Sequence, residues 1–172
     1  MTVSIEVDDN SQPTLIALGL GSNLGDREGL LDQAVLNLEK RGVEVCHVSS
    51  WIETPPVDCP PGSPNFLNGA LTAYWPTDVF SLHRVCREVE ILLGRQRGRQ
   101  RNTPRSIDID ILVFGDAIID TPELTVPHPR MCQRLFVLEP LCEIAPTLQI
   151  PPENLTVAHY VEQQRSIICS FQ

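Results

Sequence analysis

The sequence predicts an α+β fold in which one antiparallel sheet carries two helices on the same face. Two segments have apolar residues at helical spacing, and four short apolar segments around them are strand-length. Their order is strand, helix, strand, strand, helix, strand, the ferredoxin-like βαββαβ order. The 172 residues, 42% hydrophobic and 20% charged, suit a single globular domain.

Residues 14–20 form the first predicted strand, an apolar run that ends in glycines. Asp26 is a predicted N-cap, because a short carboxylate there accepts a backbone N–H of the first helical turn. Gly42 ends the helix, and residues 43–53 alternate as the second strand. The helix has apolar residues at helical spacing: Leu30, Leu31, Ala34, Val35 and Leu38.

Residues 54–64 cannot form regular structure, because five of these eleven residues are proline. Residues 65–75 return as the third strand. Thr77 or Asp78 caps the second helix, and Gly94 ends it. Its predicted buried stripe consists of Val79, Leu82, Val85, Val89, Leu92 and Leu93.

Residues 107–114 form the last strand of the core, and Gly115-Asp116 predicts a short hairpin after it. The remaining chain is expected to be an irregular C-terminal extension, with brief helices at 136–142 and around 156–164. The predicted organisation is a flexible extension (1–13), one domain (14–165) and a tail (166–172).

The composition excludes several classes of protein. A net charge of −9 argues against a nucleic-acid or membrane binder. The polar N-terminus lacks the pattern of a targeting peptide, and no apolar run approaches the roughly 20 residues of a membrane span. The six cysteines are scattered without a CxxC pair, which favours reduced thiols. We therefore expect a cytoplasmic protein, and we expect a monomer.

Basic side chains are concentrated in one short segment. The arginines of this segment are Arg95, Arg97, Arg99, Arg101 and Arg105. Such a cluster on an acidic protein predicts capture of a small polyanion, because guanidinium groups bind phosphate oxygens in pairs. The segment has no apolar anchor, so we expect a mobile loop that closes over substrate. A solvated loop and an RNA-binding arm are the alternatives; the absence of aromatic residues disfavours RNA.

Asp108 and Asp110 lie two apart in the last strand, so both project from one face, roughly 7 Å apart. Two neighbouring carboxylates repel each other, and a divalent cation removes that conflict. Rigidly held carboxylates beside arginines suit Mg²⁺ bound together with nucleotide phosphates. The alternative is a strand whose solvated face happens to carry two aspartates.

Three further features are weaker. The glycine-rich residues 19–25 match neither GxGxxG nor a P-loop, and they predict a tight turn into the helix, or else a part in shaping the site. Phe66 and Asn68 share one face of the third strand, which suits a flat heterocycle. His128 lies between prolines and precedes Arg134, so it is a candidate phosphate contact.

In this order, the segments resemble the family of 6-hydroxymethyl-7,8-dihydropterin pyrophosphokinases, over about residues 15–146. The matching stretches are ALGLGSNLGDR (17–27), VSSWIETPPV (48–57), NFLNGA (65–70), EILLGR (90–95), TPRSIDIDILVFG (103–115), and LTVPHPRM with RLFVLEPLCEIAP (124–146). The resemblance implies transfer of pyrophosphate from ATP to 6-hydroxymethyl-7,8-dihydropterin in folate synthesis. Segment 101–105 departs from the family by lacking a Trp-Gly pair, so loop closure can differ.

The resemblance also implies roles for nucleotide-site residues. It makes Asp108 and Asp110 ligands of two Mg²⁺ ions that bridge the ATP phosphates, with Asp110 near the attacking hydroxyl. It makes Arg95 and Arg105 the catalytic arginines that engage ATP. The other residues implied at the nucleotide are Glu90, His128 and Arg134.

For the pterin, the resemblance implies a sandwich between Phe66 and Phe136. Asn68 would bind the pterin amide edge, helped by Thr54 and by backbone groups near Val57.

Two other functions stay open from sequence alone: another metal-dependent nucleotidyl or phosphoryl transferase, and a non-catalytic RNA-binding or regulatory module.

Overall fold

The computed structural model describes residues 12–57, 60–95 and 105–170, and its central feature is an antiparallel sheet. The core elements are β1 Thr14–Ser22, α1 Arg27–Glu39, β2 Glu44–Val48, β3 Ile52–Thr54, β4 Phe66–Trp75, α2 Val79–Leu92 and β5 Asp108–Phe114. The strand order is β2-β4-β1-β5, with β3 also paired to β4. This topology confirms the predicted ferredoxin-like fold.

The single second strand predicted over residues 43–53 is wrong, because the structure has two strands there. β2 pairs with the Leu71–Tyr74 part of β4, and β3 pairs farther along, with Phe66 to Asn68. Both lie on the same edge of β4. The break at residues 49–51 arises where Trp51 fills the space beside Gly69, since a Cβ there would lie 2.3 Å from the indole.

Both core helices begin at the predicted caps. The Asp26 carboxylate accepts the N–H of Gly29 at 3.1 Å, and Asp78 accepts two N–H groups of the first turn of α2. The predicted stripe of α2 needs one correction, because Leu92 is 58% exposed and Cys86 is fully buried. At about 100° per residue from Val79, Leu92 falls on the far side of the helix.

The C-terminal region contains more regular structure than predicted. Its elements are β6 Ile119–Asp120, β7 Thr125–Val126, α3 Leu135–Ile144, β8 Gln149–Ile150, β9 Leu155–Thr156 and α4 Val157–Cys169. A turn occurs at Gly115, where φ is +50°, but the hairpin predicted there is wrong, because β6 pairs with β7. The last helix extends past the predicted end at residue 164.

The sheet separates two hydrophobic cores. On one face, α1 and α2 pack on alternate residues of the strands, including Ile16, Leu18 and Ile111. On the other face, α3 and α4 cover Ala17, Leu112 and their neighbours. The C-terminal region therefore builds a second core, where the sequence predicted an irregular extension with brief helices. No helix in the described ranges is long and apolar enough to cross a membrane.

Candidate active site

One end of the second sheet face is polar, and it holds the predicted metal and pterin residues. Gly21 of β1 pairs with Asn68 of β4 on one side and with Asp108 of β5 on the other. In the next row of this face, Gly19 pairs with Asp110. Because residues two apart share a face of a strand, Asn68, Asp108 and Asp110 project from the same surface.

The predicted tight turn at residues 19–25 is wrong in part, because β1 continues through Ser22 and holds two of the glycines. A Cβ on Gly21 would lie 2.8 Å from Oδ1 of Asn68, and one on Gly19 would lie 3.3 Å from the side chain of Leu112. The absence of a side chain at Gly21 thus leaves space for Asn68. This agrees with the alternative expectation that the segment shapes the site.

Asp108 is held between two arginines, Arg95 and Arg105, which flank residues 96–104 in the sequence. Nη1 of Arg95 lies 2.6 Å from its Oδ1, and Nη1 of Arg105 lies 2.6 Å from its Oδ2. Desolvation by the surrounding groups and the negative charges of Asp108 and Glu90 raise the pKa of Asp110 to about 7. The Asp110 carboxylate is also exposed to water, which moderates this rise. A cation near Asp110 would relieve the repulsion.

Glu90 is 1% exposed, and it holds the edge of the sheet. Among the strands of the described ranges, β5 pairs with β1 alone. The N–H of Ile109 points away from that pairing and donates to Oε1 of Glu90 at 2.8 Å. The carboxylate also accepts from Arg95 and, at 3.1 Å, from Arg87. Burial raises its pKa, and Arg95 and the Ile109 N–H partly offset the rise. Glu90 therefore acts on the site through Arg95 and β5.

Asn23 is a buried anchor that the sequence analysis did not single out. Its Oδ1 accepts the N–H of Arg105 at 2.8 Å, and its own N–H donates to the Arg105 carbonyl at 3.2 Å. Its Nδ2 donates to the carbonyl of Pro64 at 3.3 Å. Its position between two glycines, next to an apolar strand, is the sequence feature that could have indicated this role.

The predicted pterin residues fall into two groups. Nδ2 of Asn68 donates to Oγ1 of Thr54 at 2.7 Å, and Thr54 pairs with Phe66. A pocket of about 350 Å³ brings Thr54, Val57 and Phe136 together but does not include Phe66 or Asn68 in its lining. Its full lining is Thr54, Pro55, Val57, Gln133, Arg134, Leu135, Phe136, Glu139, Gln164 and Ile168.

Two predicted phosphate contacts, His128 and Arg134, lie in the segment between β7 and α3. Nδ1 of His128 accepts the N–H of Arg130 at 3.3 Å, which assigns the ring proton to Nε2. Burial and the charges of Arg134 and Arg130 lower the pKa of His128 to about 4. A neutral His128 can therefore donate one hydrogen bond to an anion. The Arg134 guanidinium lies 5.4 Å from the Phe136 ring centre.

The predicted mobile arginine loop is largely outside the described residues, which include Arg95 and Arg105 but not Arg97, Arg99 or Arg101. Within the described ranges, no group of three or more His, Cys, Asp or Glu side chains is placed to hold a metal ion. The two aspartates would therefore need ligands from a second molecule, such as phosphate oxygens, to complete a cation site.

Comparison with known sequences finds one family. The family model for 7,8-dihydro-6-hydroxymethylpterin-pyrophosphokinase matches residues 17–146. The 2-amino-4-hydroxy-6-hydroxymethyldihydropteridine pyrophosphokinase of Bacillus subtilis (strain 168) is 46% identical over 128 residues, covering 74% of this chain and 75% of the relative. The enzyme of the same name from Methylorubrum extorquens is 40% identical, covering 82% of this chain and 89% of the relative.

Solved structures show the same fold at low identity. The Plasmodium falciparum HPPK-DHPS structure with pterin and p-hydroxybenzoate superposes with a TM-score of 0.72 at 16% identity. That match covers 94% of this chain and 45% of the Plasmodium chain, so this chain spans less than half of that longer protein.

Proposed function

The chain belongs to the 7,8-dihydro-6-hydroxymethylpterin-pyrophosphokinase family, and from this premise we infer that it transfers pyrophosphate from ATP to 6-hydroxymethyl-7,8-dihydropterin in folate synthesis. The pterin hydroxyl oxygen attacks the β-phosphorus of ATP and releases its proton to water, the bond from that phosphorus to the AMP oxygen breaks, and AMP leaves. The observation that supports this reaction best is the row of Asn68, Gly21 and Asp108. It sets a heterocycle-binding amide about 10 Å from a carboxylate suited to a metal-bound nucleotide.

We propose that Asp108 and Asp110 hold two Mg²⁺ ions together with the ATP phosphates. The donor set fits, because hard carboxylate oxygens project from one rigid strand and Asp110 has an upward-shifted pKa. Bound Mg²⁺ would neutralise phosphate charge and orient the phosphates. The two arginines now on Asp108 would then be available to the nucleotide.

Arg95 and Arg105 are proposed to neutralise the charge that develops on the transferring group. Both pair with Asp108, which supports this role because the proposed metal-bound phosphates would lie beside that carboxylate. Nε2–H of neutral His128 and the guanidinium of Arg134 add donors beside them. Glu90 supports this set by holding Arg95 and the backbone of β5.

The pterin is proposed to lie between Phe66 and Phe136, with Asn68 and Thr54 at its polar edge. The hydrogen bond between Asn68 and Thr54 fixes the amide orientation, which leaves Oδ1 of Asn68 to accept from a pterin N–H. Val57 lines the neighbouring pocket with Thr54 and Phe136. Aromatic faces and a few convergent polar groups suit a flat heterocycle.

Four expectations accompany this function as predictions: a monomer, a cytoplasmic location, one domain over residues 14–165, and no nucleic-acid partner. Nucleic-acid binding that falls steeply with salt would contradict the last.

The test is to identify the nucleotide product. The protein is mixed with Mg²⁺, ATP and 6-hydroxymethyl-7,8-dihydropterin, and we expect AMP only when the pterin is present. A chelator should abolish turnover, and added Mg²⁺ should restore it. Formation of ADP would mean single phosphoryl transfer, and no turnover by the folded protein would refute the proposed reaction.

A further inference from the structure

The corner between β2 and β3, residues 49–51, is fixed to the sheet on both sides. The N–H of Ser49 donates to the carbonyl of Ala70, and the N–H of Ala70 donates to Oγ of Ser49, both at 2.9 Å. Trp51 packs against Gly69, and its Nε1 donates to Asp32 of α1 at 3.1 Å. The corner therefore determines where β3 begins.

The middle residue of this corner is held by α3. The N–H of Ser50 lies 3.1 and 3.2 Å from the two carboxylate oxygens of Glu143, and Oγ of Ser50 donates to Oε1 at 3.0 Å. The two residues are 93 positions apart in the sequence. Glu143 thus links the helix of the second core to the edge of the sheet.

The two linked elements both line the same pocket. β3 ends at Thr54 and leads directly to Val57, whereas α3 carries Phe136 near its first turn. Glu143 lies two turns farther along α3, about 10 Å from Phe136 along the helix axis. A contact at that end fixes the angle and spacing between the walls without entering the pocket.

We propose that Glu143 is a positioning residue for the pterin: by holding Ser50 it sets the width of the cleft between the Thr54 wall and the Phe136 wall. The inference rests on the proposed function, because it requires the pterin to bind between these walls. Glu143 touches neither the pocket nor the Asp108–Asp110 pair, so it acts on pterin binding and not on the nucleotide.

The test compares Glu143→Ala with Glu143→Gln in steady-state assays of AMP formation. Glu143→Ala removes the contact, and we expect KM for the pterin to rise about fivefold, the effect of losing about 1 kcal/mol of hydrogen bonding. KM for ATP and kcat should change little. Glu143→Gln keeps one oxygen that accepts from Ser50, so it should restore most of the affinity.

Two more variants separate positioning from a general effect on the fold. Ser50→Ala removes one of the hydrogen bonds and should raise the pterin KM less, with no further rise when combined with Glu143→Ala. Glu162→Ala, which removes an exposed carboxylate from α4, should leave all constants unchanged. An unchanged pterin KM in Glu143→Ala, or an equal rise in KM for the pterin and for ATP, would overturn the inference. Wild-type AMP formation would still support the proposed function in that case. No AMP from the wild type would overturn both.

Discussion

The two faces of the sheet differ in how completely they are covered. Helices α1 and α2 cover the first face along its length. The strand residues on this face, such as Ile16 and Ile111, are buried and apolar. Helices α3 and α4 cover only part of the second face, over Ala17 and Leu112. Beyond their reach the same strands carry glycines, an amide and two carboxylates.

The difference shows how one sheet can be both a scaffold and a reactive surface. The same backbone hydrogen bonds join β1, β4 and β5 beneath both faces of the sheet. The strand segments that carry the polar end of the second face, called the polar half below, are therefore held as rigidly as the apolar segments. A rigid site loses little conformational freedom when ligands bind. The apolar side chains on the first face of the sheet supply stability, and the polar side chains on the second face are available for function.

Substitution of Asp110 should have the largest effect on activity. Asp110→Ala removes one of two repelling carboxylates, so we expect stability to be unchanged or slightly higher. Loss of a charged group at the reacting phosphates should lower kcat about 10³-fold. Urea unfolding and AMP formation measure the two quantities. A stable variant with near-normal kcat would remove Asp110 from the proposed mechanism.

Substitution of Ile111, the next residue of β5, should lower stability and leave activity nearly unchanged. Ile111 is 4% exposed in the first core, and Ile111→Ala should lower the free energy of unfolding by about 3 kcal/mol. At a temperature where the variant stays folded, kcat should change little. If Ile111→Ala lost activity as strongly as Asp110→Ala without losing stability, the division between the faces would be wrong.

A smaller effect on activity is expected at Gly21, where the absence of a side chain leaves room for Asn68. Gly21→Ala places a Cβ 2.8 Å from Oδ1 of Asn68 and should displace that amide. We expect the pterin KM to rise about tenfold, with the ATP KM little changed. Gly19→Ala is the matched control, since its Cβ meets the flexible end of Leu112 at 3.3 Å. Equal effects of both substitutions would mean that strand conformation, not Asn68, is responsible.

The smallest effect on pterin binding is expected at the start of α3, where the helix-covered part of the second face meets its polar half. The Arg134 guanidinium lies over the Phe136 ring, a contact worth about 0.5–1 kcal/mol when exposed. If it occupies the face that the pterin needs, Arg134→Ala should strengthen pterin binding about threefold in the absence of nucleotide. Titration calorimetry measures this, with the exposed Arg84→Ala as control. Weaker binding would show that Arg134 supports the ring instead of covering it.

Sequence patterns predicted the first face better than the second. Helical spacing and caps at Asp26 and Asp78 located α1 and α2, because local propensity and burial agree there. The break between β2 and β3 was missed, because it depends on Trp51 packing against Gly69, a contact between distant residues. The second core was missed for the same reason.

The site was predictable where residue types were unusual for their element. Two aspartates in an apolar strand and an arginine cluster indicated a phosphate site, and the structure brings Arg95, Arg105 and Asp108 together. Asn23 and the strand position of Gly21 were not predicted. Their importance comes from partners more than 40 residues away, which no local pattern contains.

The contact between Glu90 and Ile109 has a consequence for solubility. Among the strands that the structure describes, β5 lies at the edge of the sheet, and an outward-facing N–H on such an edge can pair with a strand of another molecule. Glu90 occupies that donor with a buried carboxylate supplied by the same chain. A change such as Glu90→Ala would leave the Ile109 N–H without its acceptor, so we expect the purified variant to aggregate more readily than the wild type. We also expect lower turnover, because Arg95 loses the same partner.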